Sequence, residues 1–334
     1  MALRPKSLVL IIPAFNDWDA LRLLIPRVDG ALTQSGWNAD LLIVDDGSTE
    51  LIPADWPGES CRAITTISVL HLRANMGHQR AIALGLYHAH EFTDCSGVLV
   101  MDGDGEDRAE DVPALLAEFE RGAAREAVFA ARTKRMEGLT FQASYHAFRL
   151  VHWLLTGIAV RVGNFSVLPR AALTRLMVTP DVWNHFAAAV YKSRFPRRLL
   201  PLARGSRLAG QSTMNFVSLL VHGLSAMSVF SDQISARMLV ASLGLSLAGC
   251  GMSLAAGWSA FALLLVALGA QSLAFAALFA LTIVGRRNVV NFLLLRDARY
   301  FILGTTRHPS GSAGLAQLDR SLASPDAARK EVTL

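Results

Sequence analysis

Residues 238–285 form a run of 48 positions without a single Asp, Glu, Lys, Arg or His. At ~1.5 Å per residue one helix of that length would reach ~72 Å, more than twice the ~30 Å hydrocarbon core of a bilayer. Two crossings of about 238–258 and 262–284, with a tight turn near Gly257-Trp258-Ser259, fit that thickness; a pair of buried helices in a soluble protein is the alternative. Arg237 precedes the run and Arg286, Arg287, Arg296 and Arg299 follow it, while the turn carries no charge. Positive charge at the outer ends alone places both ends in the cytoplasm and the turn outside. The expectation is an integral protein of the cytoplasmic (inner) membrane, with the domain before the run and both termini cytoplasmic.

Composition agrees. Of 334 residues 52% are hydrophobic and 18% charged, below the roughly one quarter charged of soluble domains, and the net charge is +5. The apolar content excludes a wholly disordered chain, and no repeat marks a fibrous one. Cys61, Cys95 and Cys250 are too scattered for a disulfide framework or a zinc site. Arg4 and Lys6 stand before an apolar run, but that run ends after five residues at Pro13, short of the ~7–15 a signal peptide uses. It reads as a buried first strand.

Four segments follow from this patterning: an α/β domain at 1–212, an interfacial segment at 213–236, the hairpin at 237–286, and a cytoplasmic end at 287–334, disordered from about 307. Residues 215–231 carry no charge apart from His222, which suits an amphipathic helix at the membrane interface or a core helix of the soluble part. In the first segment short aliphatic runs recur at 8–12, 41–44, 67–72, 98–101 and 127–131. Helical patterns stand between several of them, at 18–32, 77–90 and 110–121. Strands buried on both faces and alternating with helices make a mainly parallel sheet, whose ligands bind beyond the carboxyl ends of the strands. Polar residues gather at those ends: Pro13-Ala14-Phe15-Asn16-Asp17, Asp45-Asp46-Gly47-Ser48, and Asp102-Gly103-Asp104-Gly105-Glu106-Asp107.

Asp102, Asp104 and Glu106 alternate, so an extended chain would turn three carboxylates to one side, where they would repel unless a cation lies between them. Hard oxygen ligands of this kind suit Mg²⁺ or Mn²⁺. Asp107, Glu110 and Asp111 read more simply as a solvated loop leading into a helix. Gly103 and Gly105 do not make a dinucleotide fingerprint, since Arg108 stands where the third glycine belongs. Asn75 to Arg80 open a helix whose N-terminus, with His78 and Arg80, suits a phosphate or is simply capped by Asn75.

In this order and spacing, Pro13 to Asp17, Val44-Asp45-Asp46-Gly47-Ser48, Asn75-x-Gly77-His78-Gln79 and Asp102-x-Asp104-x-Glu106-Asp107 resemble the family 2 glycosyltransferases, in particular the dolichyl- and undecaprenyl-phosphate sugar synthases. The resemblance spans about residues 5–300. It implies an α/β GT-A fold, a divalent metal (Mg²⁺ or Mn²⁺), and inverting transfer of a hexose from a nucleotide sugar to a polyprenyl phosphate. Pro13, Phe15 and Asp17 would line the nucleoside pocket, Asp45 would reach the base, and Asp46, Ser48, His78 and Gly103 would border the donor. Asp102 and Asp104 would be the DxD pair, with Glu106 standing where relatives often have Gln. Arg132 would contact phosphate, and Arg135 and Ser144 would receive the lipid phosphate. Gly163-Asn164-Phe165-Ser166 replaces the common Gly-Asp-Phe-Arg, and Arg207-x-x-Gly210-x-Ser212 matches a motif that closes over the donor. Relatives form homo-oligomers; no nucleic-acid partner is implied. A processive polysaccharide synthase, which would carry a QxxRW motif absent here, and an inactive membrane scaffold are the competing readings. The sequence names neither the sugar nor the choice between uridine and guanosine donors.

Overall fold

The computed structural model describes residues 6–53, 56–57, 61–132, 150–158, 162–209, 216–256, 259–287 and 292–308. Among them, residues 6–132, 162–209 and 293–308 make one compact unit, and 150–158 with 216–287 belong to the other.

The first unit is built on an eight-stranded sheet. Its strands are β1 (Ser7–Ala14), β2 (Asn38–Asp45), β3 (Ile64–Leu72), β4 (Gly97–Val100), β5 (Ala127–Arg132), β6 (Val162–Pro169), β7 (Arg197–Leu202) and β8 (Ile302–His308). They lie in the order β7-β5-β6-β4-β1-β2-β3-β8. β6 is antiparallel to β4 and β5, and β8 is antiparallel to β3; the other pairings are parallel. The first five strands match the aliphatic runs of the sequence.

Both faces of the sheet are covered, which is why its central strands read as unbroken aliphatic runs. Leu10, Ile12, Ile43, Ile67 and Val69 share one buried cluster with Leu21, Leu24 and Val28 of α1 (Trp18–Ser35) and Leu115 and Phe119 of α3 (Val112–Arg121). On the opposite face α2 (His78–Phe92) lies so close that a Cβ on Gly85 would sit 2.7 Å from Ile11 and 2.8 Å from Val44. Each fully buried aliphatic side chain here contributes about 1.5–3 kcal/mol. Two short helices, α4 (Arg170–Met177) and α5 (Phe186–Lys192), follow β6.

The strand order reverses at β1. The chain steps outward through β2 and β3 on one side, and β4 begins the other. Crevices for ligands open at such switch points, outside the carboxyl ends of the strands. Here those ends deliver residues 14–17 and 101–107.

The second unit contains α6 (Phe216–Ser228), α7 (Ser231–Ala256) and α8 (Ala260–Arg287). Ser231–Ala255 and Ala260–Thr282, with mean hydropathies of 1.7 and 2.1, are each long and apolar enough to cross a membrane. Their contact is made by small residues: a Cβ on Gly249 would lie 2.8 Å from the Val266 amide, and one on Gly269 would lie 2.7 Å from the Ser246 amide. Such close backbone approach is how helices associate in lipid, where apolar bulk brings no advantage. Val240, Leu247, Leu254, Leu278 and Leu281 point outward, an apolar surface that water would penalise.

The expected segment limits and the structure differ at three places. The first apolar helix starts at Ser231 rather than 237, because Asp232 is accommodated in its first turn. Residues 150–158 belong with the hairpin unit, whereas 293–308, after the hairpin, return to the sheet. Arg307 and His308 end strand β8; the tail expected beyond them lies outside the described residues.

Candidate active site

Asn16 sits at the end of β1 with φ of 55°, a left-handed conformation that asparagine tolerates better than most residues. Its side chain accepts from the Thr49 and Glu50 amides at 2.9 and 3.1 Å and donates to Thr49 Oγ1, while its own amide donates to Ser48 Oγ at 2.9 Å. The ends of β1 and β2 are thereby laced together. Pro13 is buried within β1; Phe15 is 42% exposed at the rim. Asp17 starts α1, and burial raises its pKa above the usual carboxylate range even though the Phe15 backbone opposes the shift.

The two aspartates after β2 have different surroundings. Asp46 is buried and accepts from the Met76 amide at 2.6 Å and the Gly77 amide at 2.9 Å, so it fixes the loop into α2. Burial lifts its pKa in spite of those bonds. Asp45 accepts from the Ser48 amide at 2.9 Å and lies 2.9 Å from His71 Nδ1. Burial alone would raise its pKa, but His71 and Ser48 outweigh it and hold the carboxylate below its ordinary range. Gly47 is required between this loop and the next: its φ is 71°, and a Cβ there would lie 2.7 Å from the Ala74 and Asn75 backbone.

After β4 the chain does not stay extended. Asp104 accepts from the Glu106 amide at 2.9 Å, Asp107 turns back to accept from the Asp102 amide at 2.9 Å, and Gly105 has φ of 84°. The expected convergence of Asp102, Asp104 and Glu106 therefore does not occur, and among the described residues no three His, Cys, Asp or Glu side chains are grouped to hold a metal. Asp102 faces α2 instead, with His78 Nε2 at 3.1 Å and Asn164 Nδ2 at 3.3 Å. Partial burial pulls the His78 pKa down, but Asp102, Asp107 and Asp104 outweigh it and the net shift is upward. Asn164 Oδ1 in turn accepts from Gln79 Nε2 at 3.1 Å, and Gln79 Oε1 accepts from the Phe186 amide at 2.8 Å.

Asp104 and Glu106 are met by a strap, residues 203–208, that follows β7. Arg207 donates to Asp104 Oδ2 at 2.9 Å, and Arg204 pairs with Glu106. The Leu208 amide donates to the Asp104 carbonyl at 2.9 Å and the Gly205 amide to the Glu106 carbonyl at 2.8 Å. Burial and the neighbouring charge of Asp102 both raise the Asp104 pKa, against the pull of Arg207 and Arg204. A carboxylate held up in this way gains from any further cation. Asp102 and Asp104 are hard oxygen donors of the kind a divalent ion such as Mg²⁺ takes, and the oxygens of Asp104 are at present engaged by the Glu106 amide and Arg207.

Of the residues singled out in the sequence, Phe15, Asp17, Asp46, Ser48, Asp102, Gly103, Asp104, Glu106 and Arg207 lie in the loops at this rim, while Pro13 and Asp45 lie at the ends of β1 and β2 and His78 opens α2. Arg132 ends β5, and Arg135 and Ser144 lie outside the described residues. Sequence reasoning gave no site role to His71, Gln79 or Arg204. His71 could have been found from the parallel register, which sets it opposite Asp45; nothing local marks Arg204.

Residues 9–177 match the model of glycosyl transferase family 2. The chain belongs to glycosyl transferase family 2. Its mainly parallel α/β sheet is accordingly that of a GT-A-like glycosyltransferase. The chain is similar to the undecaprenyl-phosphate 4-deoxy-4-formamido-L-arabinose transferase of Klebsiella pneumoniae, 24% identical over 335 residues that cover 91% of this chain and 95% of that one. It is also similar to the uncharacterized glycosyltransferase YkcC of Bacillus subtilis, 23% identical over 67% of this chain and 68% of the other. Among solved structures, glucosyl-3-phosphoglycerate synthase from Mycobacterium tuberculosis with Mn²⁺, UDP-glucose and phosphoglyceric acid aligns with a TM-score of 0.46 and 16% identity, over 70% of this chain and 79% of that one.

Proposed function

We propose that this glycosyltransferase moves a hexose, with inversion, from a uridine or guanosine diphosphate sugar to a polyprenyl phosphate, undecaprenyl or dolichyl, at the cytoplasmic face of the membrane. One observation carries the reading: a single chain joins acidic strand-end loops at the β1/β4 switch point, met by Arg207, to two helices apolar enough to span a bilayer. The names of the full-length relatives point the same way.

In this mechanism Pro13, Phe15 and Asp17 border the nucleoside, and Asp45 takes the base edge. Asp102 and Asp104 would hold Mg²⁺ or Mn²⁺, which when bound supplies positive charge to the departing diphosphate. Asp46 and Asp107 keep the two loops in place by taking backbone amides. Arg207 lies against Asp104 and adds charge at the same point; preorganised charge of this kind is the main source of catalysis where a leaving group becomes anionic. A lipid phosphate, with a second pKa of ~6, is already anionic at neutral pH and needs no strong base to attack. Its oxygen bonds to the anomeric carbon as the bond to the diphosphate breaks, releasing a nucleoside diphosphate. Arg132, Arg135 and Ser144 are the proposed contacts of the acceptor phosphate.

A panel of UDP- and GDP-sugars, with short polyprenyl phosphate and purified full-length protein, tests the reading. Sugar-phosphate-lipid product with one donor supports it. Equal transfer to a free alcohol without lipid phosphate would remove the acceptor assignment. A growing polymer would favour a processive synthase, and silence toward every donor an inactive scaffold.

A further inference from the structure

Strand β8 is made by residues that follow both apolar helices, yet it completes the sheet beside β3. Its amino acids, Ile-Leu-Gly-Thr-Thr-Arg-His, include two threonines suited to a pleated, half-exposed edge. The registers of three adjacent strands then set up one line of side chains. Asp45 on β2 lies directly opposite His71 on β3, and Val69, two residues before His71, lies opposite Thr306 on β8. Residues two apart share a face, and diagonal neighbours are within reach of a long side chain. His71 spans the gap on both sides: its Nδ1 is 2.9 Å from Asp45 Oδ2, and its Nε2 is 2.9 Å from Thr306 Oγ1.

We infer that Thr306 is a positioning residue for the donor, acting on the Asp45 carboxylate through the His71 ring. This rests on the reading of Asp45 as the contact to the donor's base. An ionised carboxylate only accepts, so His71 Nδ1 must donate to it. Nε2 is left to the Thr306 hydroxyl, which can donate to the neutral ring or accept from the charged one. Either way the ring is held at two opposite corners and cannot flip, and one oxygen of Asp45 is committed to it. The other oxygen takes the Ser48 amide, so the carboxylate plane is fixed before any ligand arrives. A buried carboxylate that meets its ligand in one orientation loses less on binding than one that must first be ordered. The depressed pKa of Asp45 accords with a carboxylate that stays ionised in this setting.

The β8 end of the line is anchored by other contacts. His308, two residues further along β8, stacks edge-on against Trp56 with ring centres 5.2 Å apart, and Trp56 meets Trp18 at 5.7 Å. These contacts hold the strand without help from Thr306. Removing the hydroxyl should therefore leave β8 in place.

The test uses the full chain in detergent or nanodiscs and measures calorimetric binding of UDP and of GDP to the parent, Thr306→Val and Thr306→Ser. Valine keeps the shape and removes the hydroxyl; serine restores it. Loss of one hydrogen bond corresponds to roughly a three- to tenfold change in affinity. Thr306→Val should weaken nucleoside diphosphate binding by that factor and raise the donor KM in parallel, with kcat and the KM for lipid phosphate unchanged. Thr306→Ser should stay close to the parent, and Thr306→Val should add nothing further in an Asp45→Asn background. Equal affinity in the parent and Thr306→Val would overturn the inference. So would a loss shared by both variants together with a lowered Tm, which would mark a purely structural strand. A parent that binds neither UDP nor GDP would instead sink the donor reading on which the inference stands.

Discussion

Replacing Gly105 with alanine strikes the place where the acidic loop and the arginine strap touch. Gly105 has φ of 84°, and a Cβ there would collide with Leu208 Cγ and fall 2.7 Å from its Cδ1. Forcing an L residue into the left-handed region costs about 1–2 kcal/mol, and overpacking adds about 1–3 kcal/mol. The total, about 2–5 kcal/mol, must be compared with what holds the strap. Two backbone hydrogen bonds from Gly205 and Leu208 contribute about 0.5–1.5 kcal/mol each, and two partly exposed ion pairs up to about 1 kcal/mol each. The two sums are of the same size, so the strap should lift while the sheet stays folded. Trypsin reads this directly, since Arg204 and Arg207 are its targets once the strap opens. Cleavage there should accelerate at least about tenfold in Gly105→Ala, tenfold being 1.4 kcal/mol, with little change in the main unfolding transition. Leu208→Ala removes the colliding atoms, so adding Gly105→Ala to it should cost only the backbone part. An unchanged cleavage rate in Gly105→Ala, or the same increment with and without Leu208, would refute the clamp.

Asp104→Asn keeps the size of the side chain but removes the charge facing Arg207; activity should fall by more than the roughly 10- to 100-fold typical of losing an outer partner, with folding preserved by circular dichroism, whereas Glu106→Gln should retain most turnover. Asp46→Asn can satisfy only one of the Met76 and Gly77 amides, so chemical denaturation should show a loss of about 1–3 kcal/mol. Burial, with Arg307 nearby, lowers the His88 pKa from 6.5 to about 4, so the fold favours the neutral ring; stability should rise as pH rises from about 4 to 6.5 and level off above, by at most about 3 kcal/mol, and His88→Asn should flatten that slope. With Cys250 replaced, a cysteine at Thr305 should resist membrane-impermeant thiol reagent in intact cells while one at Ser259 reacts; labelling at Thr305 would reverse the topology.

The central sheet and the rim loops were legible because aliphatic runs and polar strand ends are local signals. β1 to β5 match the runs that any buried parallel strand must have, and the switch-point rule then indicates which loops meet. What the sequence hid was non-local. β8 has glycine, two threonines and an arginine, and only its pairing with β3 makes it a strand. The supposed carboxylate trio failed for a local reason that was visible: Gly103 and Gly105 permit a turn, and an Asp104 side chain that takes the Glu106 amide is a better partner to that turn than to an extended chain. Arg204 and Arg207 reach the loop from about a hundred residues away, and no spacing rule anticipates which arginine of a basic stretch will do so.

The lateness of β8 in the chain has a consequence for biogenesis. Synthesis delivers β1 to β7 first, then both apolar helices, and only afterwards the strand that covers the open edge of β3. Until then β3 presents unpaired amides and carbonyls, an edge prone to pairing with other chains. Contacts of such long sequence separation also form slowly. A ribosome that has released β1 to β7 but not yet the residues after the two apolar helices therefore holds a sheet lacking its last strand, and the contact between His71 and Thr306 forms only after both helices have been made. If Asp45 contacts the donor as inferred and the helices cross a bilayer as proposed, donor recognition matures last, after the chain has reached its membrane.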